Sequence, residues 1–410
     1  MKKTLALVLS LVMLCAASVA MAAPVEINYW SVFTGGDGAV MQGMVDAFNA
    51  SQDEVFVNHT PMTADDLYQK IPMTVQTGEG IPDVAVVHIE RIPNFVTQEL
   101  LYSYDLDLIN EAAGIVPENY NAAAWVASDI DGEHYGIPLD VHAYVTYVNV
   151  DLFNQYGLNE ILEDGYITFD EIRWAGDTAR AAGYTGEIFN LGWMRAQMLG
   201  YYAQMGDGKL TQDGVAPSLN NEAMKTAMET MRALWQDGYT TVKNTDYSSK
   251  FYGGELLIWT EGIWMKAAVV DAGINFDMFP GVCYSPETCK NWTSSHNFVQ
   301  FADEDRTEEE DAAVAKFVNW MGENSLVWAR DAGQCPSHLS INEVAEFVDM
   351  PQAFLADPER VDELMIYSYE YWGLFDTAFS RVGWDFVDAM DIEAAIVQVE
   401  TEINDAIAAQ

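Results

Sequence analysis

The sequence predicts an α/β protein of two domains, and three observations lead there. Between residues 25 and 87, apolar residues alternate, recur at helical spacing, and alternate again, twice over. A chain of 410 residues suits two cores better than one or four. Half of its residues are hydrophobic, so both cores can be filled.

The elements follow in order. Lys2 and Lys3 precede an apolar run, Leu5 to Leu14, interrupted only by Ser10. Ala20-Met21-Ala22 then supplies the small-x-small pattern of a secretory leader, cleaved near Ala22 or Ala23. The run is too short to span a bilayer, and no later stretch is long and apolar enough. The expected address is therefore periplasmic or extracellular. Lipidation at Cys15 is the alternative address, with Leu14 standing where a lipoprotein peptidase wants a small residue.

Val25 to Trp30 alternates as a strand, and Thr34-Gly35-Gly36-Asp37-Gly38 turns the chain. Val40, Met41, Met44, Val45 and Phe48 then recur at helical spacing. Val55 to Asn58 is a second strand. Asp65 to Thr77 is a helix, bent or restarted at Pro72, with Gly78 and Gly80 ending it. Val84 to Val87 is apolar throughout, as in a strand buried on both faces. This order predicts a parallel sheet covered by helices, with ligands held beyond the strand C-termini. The loops after Trp30 and Val87 are the first candidates.

A long β-rich run, Val141 to Val150, would pass between two lobes. Thr168 and Glu171 form a capping box for a helix ending at Gly183. Asn220 caps another, with Ala223, Met224, Ala227, Met228, Met231, Leu234 and Trp235 inward and Gly238 as its stop. Leu256 to Trp259 is a strand. Seven acidic residues lie between Asp303 and Asp311, where Thr307 and Glu310 predict the start of a helix running to about Arg330.

Without Lys2 and Lys3 the chain carries 17 basic against 63 acidic residues, a net charge of −46. Such a surface repels nucleic acid and anionic membranes. A solvated surface accounts for it, and a cationic ligand would also suit it. Cys283 and Cys289 are close enough to staple one loop, leaving Cys335 unpaired. No Gly-x-Ser-x-Gly elbow and no His-Glu-x-x-His helix occurs. The six histidines are scattered without ligand spacing, so no metal and no cofactor is expected. With 63 acids some carboxylate pair always looks like a glycosidase, so that signal has no specificity.

Several segments, taken in order, resemble the extracellular solute-binding proteins of the maltose-binding-like branch, family 1. They are Ile27-Asn28-Tyr29-Trp30 with its Gly-rich loop, Ala47-Phe48-Asn49, Gly80-Ile81-Pro82-Asp83-Val84, and Asp131 to Asp140. Tyr147-Val148-Asn149, Asp237-Gly238, Thr260-Glu261-Gly262-Ile263-Trp264 and Gly333-Gln334-Cys335-Pro336 follow. The resemblance spans nearly the whole chain. It implies a two-lobe fold, each lobe a mostly parallel sheet flanked by helices, joined by hinge-crossing strands. The lobes would be 24–139 with 294–342, and 140–293 with 343–410. Crossings would lie near Leu139 to Val141, Trp292 to Ser294 and Ser340 to Glu346. The implied function is a monomeric, non-enzymatic carrier that closes on a sugar and presents it to an ABC importer.

A sugar offers hydroxyls and apolar faces, so rings, carboxylates, amides and histidines in cleft loops are the groups to seek. The family commonly places a stacking tryptophan at the position of Trp264, where the competing reading is a core residue. Trp372 falls in an aromatic stretch where maltodextrin-binding relatives carry a ring. Glu90 and Arg91 sit where those relatives carry an acidic–Arg pair, or else form a surface ion pair. Asp140 and His142 lie at the first crossing, His296 past the second. Thr34 and Asp37 belong to the Gly-rich loop, where Asp37 would otherwise cap the helix. Trp193 sits in a Gly-Trp loop. The alternatives to a sugar carrier are a polyamine-binding relative, an adhesive or sensory surface protein, and a secreted glycosidase.

Overall fold

The computed structural model describes residues 23–241, 245–303 and 305–409. The leader's apolar run and Cys15 lie outside the described residues. In chain order the strands are β1 (Val25–Ser31), β2 (Val55–Pro61), β3 (Val84–His88), β4 (Leu101–Tyr102), β5 (Asp129–Ile130) and β6 (Glu133–His134). Next come β7 (Ile137–Pro138), β8 (Asp140–Asn149), β9 (Glu187–Asn190), β10 (Thr240–Thr241) and β11 (Leu256–Gly262). The last are β12 (Phe276–Phe279), β13 (Asn291–Ser294), β14 (His296–Phe301), β15 (Cys335–Pro336) and β16 (Leu364–Ile366).

Two sheets organise fourteen of them, and β5 pairs with β6 apart. The first runs β2-β1-β3-β14-β4, with β7 also on β14. The second runs β10-β9-β11-β8-β13-β16, with β12 and β15 also on β8. The parallel pairs expected from strand–helix alternation are present: β1 with β2 and β3, and β9 with β10 and β11. Each sheet is mixed, because a strand entering from the other lobe joins it antiparallel: β14 beside β3, and β8 beside β11. The chain passes from sheet one to sheet two between β7 and β8, and returns between β13 and β14. The third connection runs beside β8 as β15, earlier than the expected 340–346, which holds the end of a 3-10 turn and the start of the short helix Ala345–Val348.

β3 explains why its apolar run is uninterrupted. Val84 and Val86 enter one core with Ile27, Tyr29 and Phe317, while Ala85 and Val87 enter another with Leu67, Ile71 and Phe95. All four are fully buried, and complete burial of each valine contributes roughly 1.5–3 kcal/mol. Sheet two is likewise packed on both sides, against the helices Met194–Met205 and Glu222–Gln236 on one, while on the other its own Trp259 meets Phe251 and Phe347.

Capping chemistry sets the helix starts. Thr168 and Thr307 each form the full capping box, with Glu171 and Glu310. The helix from Glu308 ends at Glu323, and a separate short helix, Leu326–Asp331, replaces the single helix expected to Arg330. The cap before Glu222 is Asn221, one residue after the expected Asn220, because its side chain reaches the Met224 amide. Helix Ala64–Thr77 continues through Pro72 without interruption and ends at Gly78, whose φ is 68°. Cys283 and Cys289 are bonded, and Cys335 is buried and free.

Candidate functional site

The crossings lie at the bottom of a cleft between the sheets, with a volume of about 340 Å³. Nearly all the residues singled out from sequence meet here. Asp37, Glu90, Arg91, His142, Trp193, Trp264, His296 and Trp372 line it. Thr34 does not; it is exposed and absent from the lining. Asp140 is fully buried beneath the lining and touches the cleft only through its partners.

The floor comes from three strands. His88 ends β3, at the carboxyl edge where a parallel sheet holds ligands. His296 begins β14 and pairs with His88 across the ladder. His142 lies in β8, opposite Ser294. Asp140 is the centre of this floor. Its carboxylate accepts from Nδ1 of His142 at 3.0 Å and Nδ1 of His296 at 2.9 Å. It also accepts from the His296 backbone N–H at 3.2 Å and Trp328 Nε1 at 2.7 Å. Burial alone would raise the Asp140 carboxyl; His296 and His142 override it and hold it well below the usual carboxylate range. Burial and the neighbouring His296 lower His142 to about 4. Burial, then the His296 and His142 rings, push His88 well below its ordinary value.

One wall belongs to the first lobe. The 3-10 turn Ile89–Arg91 follows β3 and turns Glu90 inward, buried, where Ser294 Oγ donates to it at 2.8 Å. Burial raises the Glu90 carboxyl despite that bond. Arg91 stands 4.8 Å from the Tyr68 ring, and Tyr68 Oη lies 2.5 Å from His88 Nδ1. Asp37 does not cap its helix through the N-cap position; its carboxylate accepts from the Gly35 and Gly38 amides and shapes the turn. Gly38 is required there, because a Cβ would meet the Phe33 carbonyl at 2.7 Å.

The other wall is indole. Trp193 touches Trp264 at 5.4 Å and Trp292 at 4.8 Å, centroid to centroid, both edge-on. Trp193 has a φ of 27°, unusual for a non-glycine residue, and is 40% exposed. Trp264 is half-buried. Trp372 opens helix Trp372–Val382, stacks on Phe375 and is only 4% exposed, so it lines the cleft as part of the second lobe's core. Between the indoles lies Arg195, 4.9 Å from the Trp372 ring and 5.2 Å from Trp193, bonded to Asp376.

Sequence reasoning passed over His88, Tyr68, Arg195, Trp292 and Asp376. The carboxyl-edge rule already pointed to the loop where His88 lies. Arg195 was detectable only as one of few basic residues beside a singled-out tryptophan. The scattered histidines of the sequence are a cluster in space.

A two-lobe α/β clamp with a ring-lined, hydrogen-bonding cleft at its hinge defines a solute-binding protein. The sequence profile of the bacterial extracellular solute-binding proteins matches residues 43–355, and the chain belongs to that family. Solved structures similar to it include the sugar-binding protein MalE of Xanthomonas citri, 15% identical at TM-score 0.79, covering 94% of this chain and 98% of that one. A Listeria monocytogenes ABC substrate-binding protein in complex with cycloalternan is 18% identical at TM-score 0.77, covering 94% and 99%. UgpB of Mycobacterium tuberculosis, in complex with glycerophosphocholine, is 17% identical at TM-score 0.75, covering 95% and 100%. These likenesses establish the fold. Among curated relatives, a Brucella abortus binding protein is 24% identical over 222 residues, 53% of this chain and 51% of the relative. An arabinooligosaccharide-binding protein of Halalkalibacterium halodurans is 30% identical over 97 residues, 23% of this chain and 20% of the relative. The chain thus spans about half the length of the Brucella relative and a fifth of the other.

Proposed function

We propose that the protein captures a carbohydrate in this cleft and presents it to an ABC importer, acting as a monomeric exported carrier rather than an enzyme. The observation that carries the reading is the indole wall of Trp193, Trp264 and Trp292, sharing one cleft with Glu90, Arg91 and Arg195. Rings cover the C–H faces of a sugar, while charged side chains bond its hydroxyls. Neighbours of the same fold are described with cycloalternan and maltotriose, and a curated relative with arabinooligosaccharides.

One arginine weighs against a polyamine. Arg195 is neutralised by Asp376, but Arg91 forms no ion pair among the described residues. A polycation would have to approach that guanidinium. A thermal-shift screen over neutral sugars, uronic acids and polyamines tests the reading. Stabilisation by sugars supports it, and a response confined to spermidine-like cations overturns it. Uptake of the labelled sugar by cells, lost when the gene is deleted, tests the importer. Mass spectrometry of the exported form tests cleavage near Ala22 against a lipid on Cys15.

A further inference from the structure

Three imidazoles converge on the cleft floor, and their wiring has the form of a metal site. One ring nitrogen from each of His88, His142 and His296 lies within 4.8 Å of the other two. In all three rings Nδ1 is already engaged: in His142 and His296 by the Asp140 carboxylate, in His88 by the Tyr68 hydroxyl. Nε2 of none of them makes a hydrogen bond among the described residues. All three rings line the cleft. A carboxylate that accepts the Nδ1–H hydrogen bond fixes the tautomer in which Nε2 presents its lone pair, the usual support of a metal-binding histidine. Asp140 does this for two imidazoles at once and is itself locked by Trp328.

We infer that His88, His142 and His296 bind a first-row divalent cation, zinc or a metal of similar preference, His142 and His296 through Nε2, with one coordination position open to the cleft. Imidazole ligands suit zinc, copper and nickel rather than magnesium or calcium. Three protein nitrogens leave a fourth position for water or for an oxygen of a bound solute. Zinc–nitrogen bonds of about 2.0–2.1 Å put tetrahedral ligand atoms about 3.3 Å apart, so the rings would draw together. His88 and His296 belong to the first sheet and His142 to the second, so that contraction acts across the hinge. The site rests on the histidines alone and holds whether or not the solute is a sugar.

The test is equilibrium dialysis of chelator-stripped, full-length exported protein against zinc chloride in excess magnesium, with bound metal measured by mass spectrometry. Magnesium occupies surface carboxylates, which a chain with 63 acidic residues has in abundance. One zinc per chain is expected, retained in His59→Gln, whose ring faces Ser31 and Gln42 away from the cleft. It is lost in His142→Gln/His296→Gln, and Asp140→Asn weakens it about 10- to 100-fold. Because buried variants sometimes misfold, cobalt bound to the unmodified protein gives an independent readout. Intense visible absorption of low-coordinate cobalt supports the site, and the faint spectrum of six-coordinate cobalt overturns it. Absence of magnesium-resistant zinc in the unmodified protein also overturns it. If sugar still binds then, the imidazoles serve as hydrogen-bonding groups, and only the metal proposal falls.

Discussion

Trp264 was singled out through the family resemblance and Thr34 through the Gly-rich loop after the first strand, and of the two only Trp264 lines the cleft. Trp264→Ala should weaken binding of the best sugar by about 1.5–2 kcal/mol, roughly ten- to thirtyfold, the scale of a buried aromatic contact. Thr34→Ala should change it by less than about 0.5 kcal/mol, as exposed substitutions do. Isothermal titration of both variants checks the pair, and equal effects would contradict the geometry. Lys266 offers a test of a different kind. It is buried, and burial lowers its amine to about 8. The unfolded chain keeps that proton up to the ordinary lysine range, so the folded state binds fewer protons between pH 8 and about 10.5. The lysine's cost is therefore full below pH 8 and fades above it. Its acceptor, the Ala329 carbonyl, also receives Gln352, so it is not orphaned by substitution. Lys266→Met should stabilise the protein by about 1 kcal/mol at pH 7, less as pH rises toward 10. Thermal melts across that range would reveal any contrary trend.

At the scale of elements, local rules were readable because they act over three or four residues. Thr307 and Glu310 declared a helix start, and the capping box is there. Thr307→Ala should cost about 1 kcal/mol, seen as a lower urea midpoint. Pro72 was misleading for a matching reason: its ring forbids one helical hydrogen bond, but packing of Leu67 and Ile71 in the first lobe's core carries the helix on. The cleft was readable only in part. Glu90, Arg91 and Trp264 were found through a resemblance in motifs. The pairings that finish the site, Glu90 with Ser294 and Arg195 with Asp376, join residues 204 and 181 positions apart. No period or motif encodes such a meeting; the order of the strands does. The histidine cluster escaped for this reason, since its members sit on β3, β8 and β14.

The whole molecule is a polyanion hinged at its middle. Mutual repulsion among 63 acidic residues opposes compactness and is screened by salt. Its melting temperature should therefore climb by a few degrees between low salt and about 1 M sodium chloride, where the screening length falls to about 3 Å. A flat or falling profile would mean that local ion pairs outweigh the net repulsion. Closure is testable on the same scale. A solute touching both lobes favours the shut form, so small-angle scattering should register a smaller radius of gyration with sugar present.

The guanidinium of Arg91 has a kinetic corollary. Most of this protein's exterior slows every approaching anion, while one guanidinium without an ion-pair partner among the described residues, Arg91, lines the cleft at short range. An uncharged guest crosses that landscape unaffected, so its arrival rate should not depend on ionic strength. A guest bearing a carboxylate or phosphate should arrive faster as salt is added, because the distant barrier is screened before the nearby attraction.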